Sequence, residues 1–233
     1  MNLNILLAST SRVYNSSYLE YLKKELQKLF KDTDEVLFIP LACPGGITYS
    51  DYTKKARRFF HSIDKNCFSI MEYEHPQDAI KQAKGIFTGG GNTFLLLKTL
   101  YELDLIKPLK EKIESGCPYL GTSAGSNICG LNIKTTNDMP IVYPPSFEAL
   151  GIVPYVINPH FIDKQEGKKH QGETRTTRLK EYLTQNETPV IALPEGTWIR
   201  IHQGKSKIQG DQKALLFTVD SIIEIQPGKD LDS

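Results

Sequence analysis

The groups in this chain best suited to chemistry are a serine held between glycines, five histidines and a few carboxylates that follow short apolar runs. The serine lies in Gly121-Thr122-Ser123-Ala124-Gly125, entered through Cys117, Tyr119 and Leu120. Gly-x-Ser-x-Gly is the pattern of a sharp strand-to-helix turn that leaves a hydroxyl exposed. Small residues at 121, 124 and 125 let the backbone turn that tightly. Five residues of this kind also occur in ordinary corners. Acyl transfer further needs a base within reach of the hydroxyl, a group that orients the base, and donors for the developing oxyanion.

His160 is the candidate base. It stands in Asn158-Pro159-His160-Phe161 directly after an apolar run, where a loop projects it. His61 and His202 sit in polar stretches, and His75 precedes Pro76 in a turn. Two carboxylates compete to orient the imidazole. Glu195 follows the run Val190 to Leu193 and is bracketed by Pro194 and Gly196; Asp138 lies in Thr135-Thr136-Asn137-Asp138-Met139-Pro140. The order Ser123, Asp138, His160 matches α/β-hydrolases, and the order Ser123, His160, Glu195 does not. Triads recur in several chain orders, so order leaves both open.

Gly89-Gly90-Gly91-Asn92 ends another apolar run. It lacks Gly-x-Gly-x-x-Gly and no Lys-Ser/Thr follows, which excludes the common nucleotide loops. Gly204-Lys205-Ser206 imitates the end of a Walker motif, but Ile199 occupies the required glycine position. The glycine turn suits an oxyanion site better, with the N–H of Gly91 paired with that of Ala124. A metal set of His160, Asp163, Glu166 and His170 fits no familiar ligand spacing. No metal or other cofactor is expected.

Those groups need strand ends that converge. Apolar runs at Asn4 to Ala8, Glu35 to Leu41, Phe68 to Tyr73, Gly85 to Thr88, Cys117 to Leu120, Val153 to Asn158 and Pro189 to Leu193 read as buried strands. Helical patterns lie between them, over Ser16 or Ser17 to Phe30, Tyr49 to His61, Pro76 to Ala83, a stretch after Asn92, Ile106 to Ser115, and Gly172 to Leu183. Strands alternating with helices predict an α/β fold, a doubly wound, mostly parallel sheet with helices on both faces. Ligands of such sheets gather beyond the carboxyl ends of the strands, where both Gly89–Asn92 and Ser123 fall. Ile133 to Tyr143 reads as short, partly antiparallel strands and loops, and the tail as antiparallel strands turning near Gly204 and Gly210.

The 233 residues suffice for one domain, taken as 1–233. With 28 basic and 27 acidic residues, the net charge of +1 points to no nucleic-acid partner. Lys54-Lys55-Ala56-Arg57-Arg58, the densest basic run, reads as a solvated helix face. No apolar run reaches membrane-spanning length, and no secretory leader is evident. Cys43, Cys67, Cys117 and Cys129 form no Cys-x-x-Cys and read as buried thiols of a reducing compartment, so a cytoplasmic location is expected.

Taken together, Gly89 to Phe94, Gly121 to Gly125, Thr135 to Val142, Asn158 to Phe161, Gly172 to Arg175 and Leu193 to Ile199 resemble peptidase E, the α-aspartyl dipeptidase family of serine peptidases. The match spans nearly the whole chain. It implies a fold akin to class I glutamine amidotransferases, with serine in place of their elbow cysteine, and favours Glu195 over Asp138 as third triad member. It also implies metal-free hydrolysis of dipeptides with an N-terminal aspartate. Reading that aspartate requires a cation; Arg175, with its bidentate fork, is the expected one. Asn92 is a second donor to the same carboxylate, and Asp138 is left to bind the substrate ammonium or to brace the site. Thr122 and Ser126 depart from the Trp and Ala of the bacterial members, which implies a changed pocket. The related cyanophycinases, acting on β-linked Asp-Arg units, and a non-catalytic small-molecule binder are the alternatives. A small peptide is the expected partner, with no nucleic acid and no membrane, and a homodimer is allowed for.

Overall fold

The computed structural model describes residues 3–162 and 172–231; Asp163, Glu166 and His170 of the metal spacing considered above lie outside the described residues. Its strands in chain order are β1 (Asn4–Ala8), β2 (Glu35–Ile39), β3 (Asn66–Ser69), β4 (Ile86–Thr88), β5 (Tyr119–Thr122), β6 (Val156–Asn158), β7 (Val190–Ala192), β8 (Thr197–His202), β9 (Lys205–Gly210), β10 (Ala214–Phe217) and β11 (Ile222–Ile225). The helices are α1 (Lys23–Leu29), α2 (Tyr49–His61), α3 (Pro76–Gln82), α4 (Thr93–Glu102), α5 (Ile106–Glu114), α6 (Ala124–Asn127) and α7 (Arg175–Leu183).

Seven strands form the main sheet in the order β3-β2-β4-β5-β1-β8-β9. The five from β3 to β1 are parallel, while β8 and β9 run antiparallel at the far edge. Successive side chains of a strand point to opposite faces, and here both faces are buried. Ile5, Leu7, Leu37, Ile39, Ile86 and Tyr119 pack with Leu96, Leu97 and Leu100 of α4 and Leu109 and Ile113 of α5. Leu6, Ala8, Val36, Phe38, Phe87 and Leu120 pack on the other side with Leu26 and Leu29 of α1 and Tyr52, Ala56, Phe59 and Phe60 of α2. Each large apolar side chain so buried contributes roughly 1.5–3 kcal/mol, which is why the apolar runs of the sequence are continuous rather than alternating.

The expected α/β sheet with helices on both faces is therefore present, with a division of the later strands. β6 and β7 do not extend the main sheet. The open side of β1 is taken by antiparallel β8, and β6 and β7 pair with each other in a second sheet of order β11-β10-β7-β6. Leu179 and Leu183 of α7 pack there against Val156, Val190 and Phe217.

Three local expectations need correction. The helix expected from residue 16 or 17 begins later, with a 3-10 turn at Glu20–Leu22 leading into α1; Leu19 is left-handed at φ 59° and breaks the earlier turn. The strand expected at 68–73 is β3, two residues earlier, because the Ser69 and Glu72 side chains form a capping box that winds Ile70–Glu72 into a helical turn. Among the described residues, 133–143 contain no strand; only an isolated bridge joins Asn132 to Glu148. Cys67, Cys117 and Cys129 are buried and Cys43 is partly so, all as free thiols. Burial pushes the thiols of Cys67 and Cys129 up to about 12. No helix among the described residues is long and apolar enough to cross a membrane.

The glycines of the elbow lie where backbones touch. A Cβ at Gly125 would stand 2.1 Å from the Thr88 carbonyl oxygen of β4, and one at Gly121 would stand 2.4 Å from that of Gly125. Gly125→Ala must part α6 from β4 and should cost about 3 kcal/mol or more in urea unfolding. Gly45→Ala, with φ +62° and nothing within 4 Å, meets only left-handed strain of about 1–2 kcal/mol. Equal losses in the two variants would show that the close approach does not matter.

Candidate functional site

The ends of β1, β4, β5, β6 and β7 meet at one place. β5 delivers Ser123, which joins it to α6 at φ 51° and ψ −111°. Such a conformation costs an L-residue on the order of 1–3 kcal/mol and persists only where its surroundings enforce it. Here Ser123 N–H donates to the Ala8 carbonyl (3.0 Å), and the Ser123 carbonyl accepts from Ser126 and Asn127 N–H (2.9 Å each). Ser126, expected to alter the pocket, is fully buried and its hydroxyl donates to the Ala8 carbonyl at 2.7 Å. Thr122 is likewise fully buried. Neither lines the cavity in front of Ser123.

His160, at the end of β6, places Nε2 3.0 Å from Ser123 Oγ and Nδ1 2.8 Å from Glu195 Oε1. A carboxylate only accepts, so Nδ1 carries the proton and Nε2 faces the hydroxyl as acceptor. Of the two rival carboxylates it is thus Glu195 that meets the imidazole. Asp138 is committed elsewhere: its Oδ2 accepts from Thr93 N–H (2.7 Å), the Thr93 hydroxyl (2.6 Å) and the Thr136 hydroxyl (3.1 Å). It holds the 133–155 loop onto the N-terminus of α4, where a negative charge is favoured.

Gly91 and Ala124 flank the hydroxyl, and neither N–H has an acceptor among the described residues. Gly90 packs so closely that a Cβ there would lie 2.9 Å from Ser123 Cβ, and Gly91, at φ 143°, would drive a Cβ to 2.3 Å from the Ala42 carbonyl oxygen. The buried Tyr52 hydroxyl donates to the Gly90 carbonyl at 3.1 Å and supports this turn from below.

The cavity before Ser123 has a volume of about 320 Å³ and is walled by Thr10, Ser11, Tyr18, Tyr52, Lys55, Gly91, Asp138 and His160 among others. Arg175, the first residue of α7, lines a neighbouring depression that shares Asp138 with it. Its guanidinium is held below the usual arginine range by burial and by Arg178, against the opposing pull of Asp138 and Glu195. Its Nη1 is buried and has no hydrogen-bond partner among the described residues. Asn92 is not in either wall. Its Oδ1 caps α4 through Leu95 N–H and its Nδ2 donates to the Met139 carbonyl, so its amide serves the helix start rather than the cavity. Lys55 also departs from expectation, because it turns from the solvated side of α2 into the cavity wall. No cluster of three or more His, Cys, Asp or Glu suited to a metal occurs among the described residues.

Sequence reasoning missed Ser9, which directly follows the apolar run Asn4 to Ala8. Ser9 is fully buried. Its hydroxyl accepts from His160 N–H (2.8 Å) and donates to the Leu193 carbonyl (2.8 Å), and its own N–H donates to the Thr197 carbonyl. His160 is left-handed at φ 53°, and Ser9 is what holds it there from the end of β1. The only signal in the sequence was position, directly after an apolar strand.

The model of peptidase family S51 matches residues 5–209 of this chain. A probable α-aspartyl dipeptidase of Drosophila melanogaster is 42% identical over 232 residues, covering 98% of this chain and 95% of that protein. Peptidase E of Shewanella amazonensis is 44% identical over 220 residues, 93% of this chain and 92% of its own length. The crystal structure of a peptidase from an acI-B1 actinobacterium superposes with a TM-score of 0.74 at 18% identity over 99% of this chain and 97% of its own. A 1.5 Å crystal structure from Listeria monocytogenes EGD-e gives 0.68 at 20% identity, covering 91% of this chain and all of that one. At those identities the likeness is one of fold.

Replacing Ser9 by Ala leaves the His160 N–H buried without an acceptor, a loss of about 2 kcal/mol, or roughly 4–8 °C in Tm for a chain of this size. Loosening of the imidazole should lower kcat by at least tenfold with little change in KM. A Tm within a degree of wild type and an unaltered kcat would refute the positioning role.

Proposed function

The chain belongs to peptidase family S51, and from this premise we propose that it is a serine dipeptidase that hydrolyses Asp-Xaa dipeptides through an acyl-enzyme on Ser123. The observation that carries this reading is the imidazole of His160 held between Ser123 Oγ and Glu195, with Nε2 free to take the hydroxyl proton. In the proposed cycle Ser123 Oγ attacks the carbonyl carbon of the N-terminal aspartate while its proton passes to His160 Nε2. Glu195 keeps the ring oriented and stabilises the imidazolium; the amides of Gly91 and Ala124 receive the oxyanion. The C–N bond then breaks, the imidazolium returns its proton to the leaving amine, and water, deprotonated by His160, cleaves the ester to release aspartate.

Arg175 is the group proposed for the aspartate side chain. A guanidinium with a buried and unpartnered Nη1 beside the site is costly unless an anion completes it. Asp138, whose described bonds all fall on Oδ2, has its other oxygen for the substrate ammonium. Asn92 is left with a structural part. The relatives named above as α-aspartyl dipeptidase and peptidase E favour this substrate class for the present chain. A cavity of about 320 Å³ lies at the small end of ligand sites, which suits a dipeptide better than a β-linked Asp-Arg polymer. The base–nucleophile contact has no purpose in a simple binder. We also read the chain as one functional unit working in the cytoplasm on small peptides without a cofactor; gel filtration with light scattering distinguishes monomer from homodimer.

A panel of Asp-Leu, Asn-Leu and Leu-Leu tests the substrate class. Wild type should cleave Asp-Leu at least about 100-fold faster than Asn-Leu, and Ser123→Ala should lose at least about 1,000-fold in kcat. Equal rates on all three dipeptides would reject carboxylate reading. Arg175→Ala should remove most of the Asp-over-Asn preference while Ser123 still reacts with a fluorophosphonate. Retention of the preference would exclude Arg175 as its reader.

A further inference from the structure

Among the described residues, Lys55 is the one lysine or arginine in the wall of the cavity that holds Ser123, His160 and the Gly90–Gly91 turn. It projects from α2, half-buried, and its ammonium stands 4.5 Å from the centre of the Tyr18 ring. Its neighbours Lys54 and Arg57 are paired, with Asp51 and Glu72 respectively. Lys55 has no carboxylate within ion-pair distance among the described residues. Burial, with the like charges of Arg12 and Arg58, holds its ammonium below the usual lysine range. An aromatic face compensates such a cation only in part. A cation kept partly from water, next to a nucleophile and without a counter-ion, leaves the cavity short of one negative charge.

Two further charges bear on the same space. Asp138 lines both this cavity and the depression of Arg175, so the anion and the guanidinium lie together on one side. Lys55 belongs to the wall built by Tyr18, Thr10 and Ser11, none of which borders that depression. An Asp-Xaa dipeptide carries an ammonium, a side-chain carboxylate and a terminal carboxylate. The first two match Asp138 and Arg175. The third lies on the far side of the scissile bond, only one residue away from it. We propose that Lys55 is the specificity residue that binds the free C-terminal carboxylate of the leaving amino acid, and so restricts the enzyme to dipeptides. This rests on the Asp-Xaa reading of the site above. Extension of the substrate by one more residue would replace a full charge at that point by a neutral amide, and Lys55 would lose its partner.

The test is a cycle between enzyme and substrate, which isolates the one interaction from general damage. kcat/KM is measured for Asp-Leu and Asp-Leu-amide with wild type, Lys55→Met and Lys55→Arg. Leucinamide is the less basic and better leaving amine, yet wild type should prefer the free acid by at least about tenfold. Lys55→Met should collapse that preference to near unity or reverse it, and Lys55→Arg should keep part of it. The wild-type comparison needs no variant, so poor folding of one cannot hide the result. If wild type shows no preference for the acid, or if Lys55→Met slows both substrates by the same factor, the assignment is overturned although Asp-Xaa hydrolysis stands. If wild type cleaves neither substrate in a Ser123-dependent way, the dipeptidase reading fails and this inference with it.

Discussion

Ser123 is held in a backbone conformation that an L-residue avoids, and much of the molecule serves to keep it there. The strain is local, but its restraints come from distant parts of the chain. The Ala8 carbonyl at the end of β1 accepts from both Ser123 N–H and the Ser126 hydroxyl. The Thr88 carbonyl of β4 and the Gly90 backbone press on the turn at distances that admit no side chain at 90 or 125. A corner packed this tightly has one arrangement rather than several. The hydroxyl consequently has a fixed address, which a nucleophile needs if its partner base is to be supplied from elsewhere.

The imidazole that meets this hydroxyl comes from the other sheet. Ser123 ends a strand of the main sheet, whereas His160 and Glu195 follow β6 and β7 of the second. The geometry of the three therefore depends on how the two sheets are joined. Ser9 is the joint: it follows β1 of the first sheet and binds the His160 N–H and the Leu193 carbonyl of the second. Asn158 and Asn137 tie the neighbouring loop to the same strand end, through the Thr135 and Pro159 carbonyls. The donors of these side chains are all satisfied by backbone carbonyls, which fixes the position, although Asn158 Oδ1 is buried without a partner among the described residues.

Charge around the site follows from the same economy of partners. Asp138 spends one oxygen on the start of α4, and Glu195 spends one on His160. Two cations lack a full complement among the described residues: Arg175, beside the cavity, has an Nη1 without a partner, and Lys55, in its wall, stands on an aromatic face. Buried or half-buried cations of this kind lower stability unless something anionic arrives.

Much of this was legible in the sequence. Unbroken apolar runs at Asn4 to Ala8, Glu35 to Leu41 and Gly85 to Thr88 require strands buried on both faces, and Gly121 and Gly125 require a corner where backbones touch. The elbow serine and the strand-end histidine follow from local chemistry alone, because residue type and position after a strand carry the information. The resemblance to a known family then favoured Glu195 over Asp138. Other features were settled only by tertiary contact. Whether Glu195 or Asp138 reaches the imidazole depends on the pairing of β6 with β7, a matter of sheet order that chain order does not encode. Ser9 gave no sign beyond its place after an apolar run, since its partners lie 151 and 184 residues away. Lys55 belongs to a basic run that reads as solvated, and only the packing of Ala56 and Tyr52 into the core rotates it toward the cavity. Periodicity and residue chemistry act over a few positions and are written in the chain. The meeting of strand ends is a property of the whole fold, and it is there that the serine meets an imidazole.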